Sequence, residues 1–276
     1  MPEPISRRKI FGIGGALAGA GLAPAAPEGS PRQDLKFGVC SYCVREFQRG
    51  LAINLLKQLG VHFVSVKDVH LSYNSTAEEA AKARQEFEKA GLEIVSGGTV
   101  PLTERGALRK YFDYAKRCGM PMMVTAPTHE ALPEIEGLVK EYDIKVAIHT
   151  HGPEDNQFPN PQTVLEAVKG MDPRLGVCMD VGHTMRTGVD VVETVALCGS
   201  RLLDMHFKDL ASSKDKDSQC AVGRGVMPVV AIFRQLRKMR YQGSINLEYE
   251  IHPDNPLPGM LESMAYMRGA AAGLAG

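Results

Sequence analysis

His149 and His151 stand one residue apart at the end of the apolar run Val146-Ala147-Ile148, and Gly152-Pro153 comes next. On an extended strand, residues two apart face the same side. Two imidazoles on one face can ligate a transition metal or move protons. Comparable groups recur along the chain: Lys67 and His70, Asp180 and His183, His206 with Lys208 and Asp209, and Glu248 with Glu250. Five of the eight histidines fall in this set. Each has a plain reading when taken singly. A lone histidine at a strand end is ordinarily a hydrogen-bonded structural residue, Asp209 could cap the segment after strand seven, Glu250 could be a solvated rim carboxylate, and Lys67 could lay its stem along a rim. Gathered at one place, such groups are costly to desolvate unless they are paired or metal-bound.

The elements that would gather them keep a rhythm. Short apolar, β-rich runs occupy residues 35–42, 62–69, 92–98, 121–127, 145–151, 175–183, 202–209 and 244–250. Amphipathic stretches lie between them, with apolar residues at three- and four-residue spacing, as in Leu108, Tyr111, Phe112 and Ala115. Gly60, Gly91, Gly119 and Gly243 stop several of these just before the next strand. "SSKDKDSQ" (212–219) reads as a surface loop after the seventh strand. Eight strand–helix units with short connections imply parallel strands and right-handed crossovers. Eight is the number that closes an α/β (β/α)8 TIM barrel, whose catalytic groups sit at the C-terminal strand ends, where these ionisable residues fall. An open doubly wound sheet would show a Gly-rich turn after its first strand, and "CSYCVREFQRG" is not one.

The first 26 residues are a separate object. Arg7-Arg8 after Ser6, an apolar Gly/Ala-rich run and the small-residue stretch Ala23-Pro24-Ala25-Ala26 predict a twin-arginine-type export signal. The expected organisation is signal 1–26, a short linker 27–34 and one barrel domain 35–276, in an exported, periplasmic protein with no membrane anchor after processing. The partner in export would be the twin-arginine machinery. Lys+Arg and Asp+Glu are both 32, and removing residues 1–26 leaves 29 cations and 31 anions. That balance excludes the basic face of a nucleic-acid binder. Six cysteines in a chain this long do not form a disulfide framework, and Cys40-x-x-Cys43 reads as structural.

The second half of the chain resembles the sugar-phosphate isomerase/epimerase superfamily, the xylose isomerase-like barrels. The resemblance rests on "GVCMDVGHTMRTGVD" (176–190), "RLLDMHFKDL" (201–210), "VGRGVMPVVAIFRQLRKMRYQG" (222–243) and "SINLEYE" (244–250). It implies one divalent metal held by side chains from strands five to eight: Asp180 of "DVGH", His206 of "HFKD" and Glu248 closing strand eight. The strand-five position is usually glutamate, and here its register falls on His149. His151 and Glu154 are the alternative ligands there. A set of two imidazoles and two carboxylates suits Mn²⁺, Co²⁺, Fe²⁺ or Zn²⁺ better than Mg²⁺ or Ca²⁺.

The chemistry implied by the resemblance is proton abstraction beside a metal-polarised carbonyl, through an ene-diolate. The first expectation is therefore an isomerase or epimerase acting on a sugar or polyol-like ketone. Its catalytic residues would be Glu248, His151, His183 and Lys208, and Lys67, His70, His151, His183, Lys208 and Glu250 would contact the carbohydrate. Replacing the strand-five glutamate removes one of the two carboxylates that move protons in the epimerases. That opens a second reading, a lyase, dehydratase or hydratase on a 3-keto-glycoside or inosose, and a third, a sugar-binding barrel without turnover. Export argues against sugar phosphates, although "VGRGV" (222–226) is a weak candidate phosphate cradle. A homo-oligomer is left open.

Overall fold

The computed structural model describes residues 34–274; the expected signal, with Arg7 and Arg8, lies outside them. Eight parallel strands close into a barrel: β1 (Lys36–Cys40), β2 (Phe63–Val66), β3 (Glu93–Val100), β4 (Met122–Thr125), β5 (Lys145–His149), β6 (Leu175–Asp180), β7 (Leu202–Phe207) and β10 (Ser244–Leu247). A short antiparallel ribbon, β8 (Asp209–Leu210) with β9 (Gln219–Cys220), interrupts the repeat after β7 and frames the exposed 212–218 loop. Helices α1 (Arg49–Gln58), α2 (Ala77–Lys89), α3 (Arg109–Arg117), α4 (Leu132–Tyr142), α5 (Pro161–Ala167), α6 (Val181–Arg186), α7 (Val191–Cys198), α8 (Val229–Lys238) and α9 (Leu257–Gly273) connect and cover the strands. No helix among the described residues is long and apolar enough to cross a membrane.

The helices start where polar side chains can satisfy their first N–H groups. Thr76 and Glu79 form a reciprocal capping box on α2, and Asn160 and Asp190 cap α5 and α7. The main apolar core fills the layer between strands and helices, with Phe87, Phe112, Phe207 and Phe233 wholly buried. A second, small apolar cluster of Met122, Val124, Ala147 and Cys178 comes from alternate residues of β4, β5 and β6, inside the ring. Beside it, where Asp204 pairs in register with Cys178, the interior is polar. The buried Asp204 carboxylate accepts from Ser96 Oγ, Ser244 Oγ and Asn246 Nδ2 at 2.8–3.1 Å.

The strands are shorter than their apolar runs. β10 ends at Leu247, before Glu248, and β6 ends at Asp180, where α6 begins at once. The turn into α6 is made by Asp180 itself, whose Oδ1 accepts the His183 N–H at 2.8 Å. Sequence periodicity gives no sign of a helix this short, because its six residues complete fewer than two turns.

Candidate metal centre

Four consecutive strands of the ring deliver one donor each to the same point at their C-terminal ends. His149 and Asp180 are the last residues of β5 and β6, His206 is one residue from the end of β7, and Glu248 comes directly after β10. Register aligns Asp180 with His206. One nitrogen or oxygen from each of the four residues lies within 4.8 Å of all the others. His149 Nε2 is 3.0 Å from His206 Nδ1 and 3.7 Å from Asp180 Oδ2, and His206 Nδ1 is 3.1 Å from Glu248 Oε1. All four residues are buried.

The charge is arranged around Lys208, two residues beyond His206. Its ammonium is 3.0 Å from Asp180 Oδ2 and 2.9 Å from Glu248 Oε2, and it also pairs with Glu250. These carboxylates keep Lys208 charged despite its burial. Gly182 makes room for the lysine stem: a Cβ there would come 2.6 Å from Lys208 Cγ. Burial alone would raise Glu248, but Lys208 and His206 hold it well below the usual carboxylate range. Burial lifts the Asp180 carboxyl to about 6, against the pull of Lys208. Burial and the neighbouring His206 keep the His149 ring well below its ordinary value, hence neutral. For His206 burial works against the charge, and the Glu248 carboxylate 3.1 Å from its Nδ1 favours it.

This donor set fits a divalent cation. The buried Asp180 Oδ2 makes no hydrogen bond, although the Lys208 ammonium is 3.0 Å away, and two imidazole nitrogens lie 3.0 Å apart. With both rings neutral, as ligands are, three carboxylates set against one ammonium leave a double negative charge for such an ion to neutralise. Two imidazoles and two carboxylates at one point are ligands for Zn²⁺, Co²⁺, Fe²⁺ or Mn²⁺.

Two further histidines flank the four. The His151 ring centroid is 4.5 Å from that of His149, and the His183 centroid is 6.0 Å from it. His151 Nδ1 is 3.1 Å from Asp155 Oδ2. A carboxylate only accepts, so the neutral ring carries its proton on Nδ1 and keeps a lone pair on Nε2. Asp155 is itself fixed, because its other oxygen accepts the Gln157 and Phe158 N–H groups. His183 has the opposite tautomer. Arg186 donates to its Nδ1 at 3.1 Å, which leaves Nε2–H as a donor, 3.9 Å from Asp180 Oδ2. Burial and Lys208 push the His183 ring down to about 3, so it stays neutral.

Not every expected residue belongs to this cluster. His70 is corrected from substrate contact to structural brace: it is 1% exposed, with Nδ1 on Ser41 Oγ at 2.9 Å and Nε2 on the Phe47 carbonyl at 3.1 Å. Lys67 stays at the mouth, donates to the Thr99 carbonyl and lies over the Tyr42 ring. Glu250 is on the rim, tied to Lys208. Glu154 is exposed and paired with Arg186, away from the four donors. The "VGRGV" turn is no phosphate cradle. Its Gly223 and Gly225 N–H groups, with Leu210 and Met227, already donate to the buried Asp209 carboxylate at 2.9–3.1 Å. Asp155 and Arg186 are not among the residues that the sequence singles out. Asp155 lies four residues past His151, and only the fold of the 152–158 loop turns it back. A cavity of about 800 Å³ lies at the opposite, N-terminal strand ends, between Lys36, Lys145, Tyr241 and Ser244, and shares no residue with the centre.

Known proteins share this architecture. The 3-oxo-isoapionate decarboxylase of Pectobacterium atrosepticum is 24% identical over 181 residues, which cover 58% of this chain and 62% of that protein, less than two thirds of its length. A solved structure of an uncharacterized protein from Parabacteroides distasonis superposes with a TM-score of 0.68 at 25% identity, over 86% of this chain and 99% of the other. The D-psicose 3-epimerase of Clostridium cellulolyticum, solved with D-tagatose, shares the fold at a TM-score of 0.70 and 16% identity, over 86% of this chain and 99% of its own. Residues 53–270 match the xylose isomerase-like TIM barrel family, and the chain belongs to that family.

Proposed function

We propose that the protein is a divalent-metal-dependent enzyme that removes the proton beside the carbonyl of a sugar-derived ketone, using one base. His149, Asp180, His206 and Glu248 would hold the ion, which supplies Lewis acidity toward a substrate carbonyl. The base is His151. Asp155 holds its Nδ1–H and so orients the ring and stabilises the imidazolium formed when Nε2 takes the carbon-bound proton. The electron pair of that C–H bond moves toward the carbonyl oxygen, and His183 Nε2–H is a donor for a neighbouring substrate oxygen. Lys208 fixes Asp180 and Glu248.

The observation behind the reading is the carboxylate count. Epimerisation by two facing carboxylates needs a free one on each side of the carbon. Strand five supplies His149 instead, and the two oxygens of Glu248 are held by His206 and Lys208. A single base suits elimination, in which the proton leaves and a β-oxygen departs with its bonding pair. A lyase acting on an oxidised sugar such as a 3-keto-glycoside is therefore the reading the geometry supports best. Sugar isomerisation is the second, favoured because one histidine, His151, can carry a proton between adjacent carbons. The export expected from Arg7-Arg8 and the filled Asp209 turn both favour an unphosphorylated carbohydrate.

The test is incubation of the metal-loaded protein in D₂O with a 3-keto-glycoside and, separately, a panel of ketoses, with NMR as the readout. Aglycone release supports the lyase, and deuterium at carbon without release supports the isomerase. Stoichiometric metal with no exchange at any carbon beside a carbonyl would leave a binding protein and end the enzymatic reading.

A further inference from the structure

The four expected donors do not exhaust what surrounds the ion position. Cys178 lies two residues before Asp180, on the same face of β6, and pairs in register with His149 on β5. Its sulfur, one nitrogen of His149 and one nitrogen of His206 lie within 4.8 Å of one another. All three residues are buried, Cys178 completely. The second ring nitrogens, His149 Nδ1 and His206 Nε2, are also buried and have no hydrogen-bond partner. The Cys43 thiol has an evident structural duty: it donates to the Leu247 carbonyl and accepts the Tyr249 N–H. Cys178 has instead the His206 ring as its neighbour.

We propose that Cys178 is a sulfur donor on the floor of this metal centre, so that the site selects thiophilic divalent ions, Zn²⁺ or Co²⁺, over Mn²⁺ and Mg²⁺. The proposal rests on the metal-centre reading and adds to it a ligand and a selectivity. Zinc takes sulfur at about 2.3 Å and imidazole nitrogen at about 2.0–2.1 Å, so a sulfur and a nitrogen sharing one ion are at most about 4.4 Å apart. At the tetrahedral angle of zinc that separation is about 3.6 Å, and the three donors, all within 4.8 Å of one another, are to reach it by side-chain rotation. An ion there would be held by Cys178, His149 and His206, the group that shares its two imidazoles with the set containing Asp180 and Glu248. The new bond forms from a sulfur lone pair, the thiol proton is released to solvent as the ion enters, and no oxidation state changes. Softness of the donor then decides the metal: thiolate favours zinc and cobalt, and manganese and magnesium gain little from it.

The experiment uses cobalt as the probe. The purified protein, stripped and reloaded with Co²⁺, is expected to show visible ligand-field bands and, in the near ultraviolet, a sulfur-to-cobalt charge-transfer band. That band is expected to vanish in Cys178→Ser and to persist in Cys40→Ser. In parallel, Cys178→Ser is expected to lower the preference for Zn²⁺ over Mn²⁺ by roughly ten-fold or more in competition measured by elemental analysis. Visible bands without the near-ultraviolet band in the parent would overturn the proposal and leave the four-donor centre standing, whether or not the variant folds. Survival of the band in Cys178→Ser would do the same. No cobalt uptake at all would sink the metal-centre reading together with this one.

Discussion

Replacing Lys208 by methionine isolates what holds the centre together before a metal enters. The substitution keeps most of the stem volume and removes the ammonium. It strands two buried carboxylates, Asp180 and Glu248, now 3.0 and 2.9 Å from that charge. Breaking a buried pair by deleting one partner costs about 3–5 kcal/mol, because the other charge stays buried and uncompensated. Glu250, whose side chain is 37% exposed, adds little. For a domain of this size each kcal/mol moves the melting temperature by about 2–4 °C, so the metal-free variant should melt roughly 6–20 °C below the metal-free parent. A divalent ion neutralises the same two carboxylates, so the deficit should shrink by half or more when both proteins are saturated with Zn²⁺. The assay is thermal unfolding of parent and variant in chelator and in excess metal. An equal deficit in both conditions would mean that the lysine contributes packing rather than charge. No deficit in chelator would refute the charge balance described for the centre.

Three more outcomes are expected. His149→Ala and Glu248→Ala should each lose the bound ion to below about a tenth of the parent's content, measured by elemental analysis, and retention in His149→Ala would move the strand-five ligand elsewhere. His151→Asn should cut turnover by roughly 10²–10⁴-fold, the usual worth of a positioned general base, with metal content unchanged, and Asp155→Asn should show a smaller loss. Asp209→Ala leaves four backbone N–H groups of the 210–227 turn without their acceptor and should cost about 3 kcal/mol or more in urea unfolding, with the metal still bound.

The barrel could be read from the sequence because each strand is an apolar run bounded by helical periodicity, and eight such units admit few closures. The four donors are what the family resemblance implies, and the adjacency of β5, β6, β7 and β10 brings His149, Asp180, His206 and Glu248 within 4.8 Å of one another. What the sequence could not supply was the direction of side chains that leave the strand direction. His70 falls after β2 like a mouth residue, yet the chain turns it back onto Ser41 and Phe47. Asp155 belongs to a loop, and only the turn closed by Gln157 and Phe158 brings it to His151. Gly223 and Gly225 look like an anion-binding turn because backbone N–H groups converge there, and a sequence does not say that Asp209 has already taken them.

The change of strand five from carboxylate to imidazole gains meaning from this charge count. Lys208, buried against Asp180 and Glu248, cancels one of the three negative charges of Asp180, Glu248 and Glu250, so the group around two ligating rings carries a double negative charge. With a divalent ion that group is neutral, and with a further carboxylate in place of His149 it would carry one negative charge. A unit charge 4 Å from a developing oxyanion is worth about 4 kcal/mol at the effective dielectric of such sites. In the proposed reaction the imidazole therefore removes a repulsion that would act on the negative charge formed as the carbon-bound proton leaves. It also removes a base. On the proposed function, imidazole at this position makes charge easier to form on the substrate and leaves its proton to a different side chain. His151 fits that role: it stands beside His149, with its ring held by Asp155 and its second nitrogen free to accept.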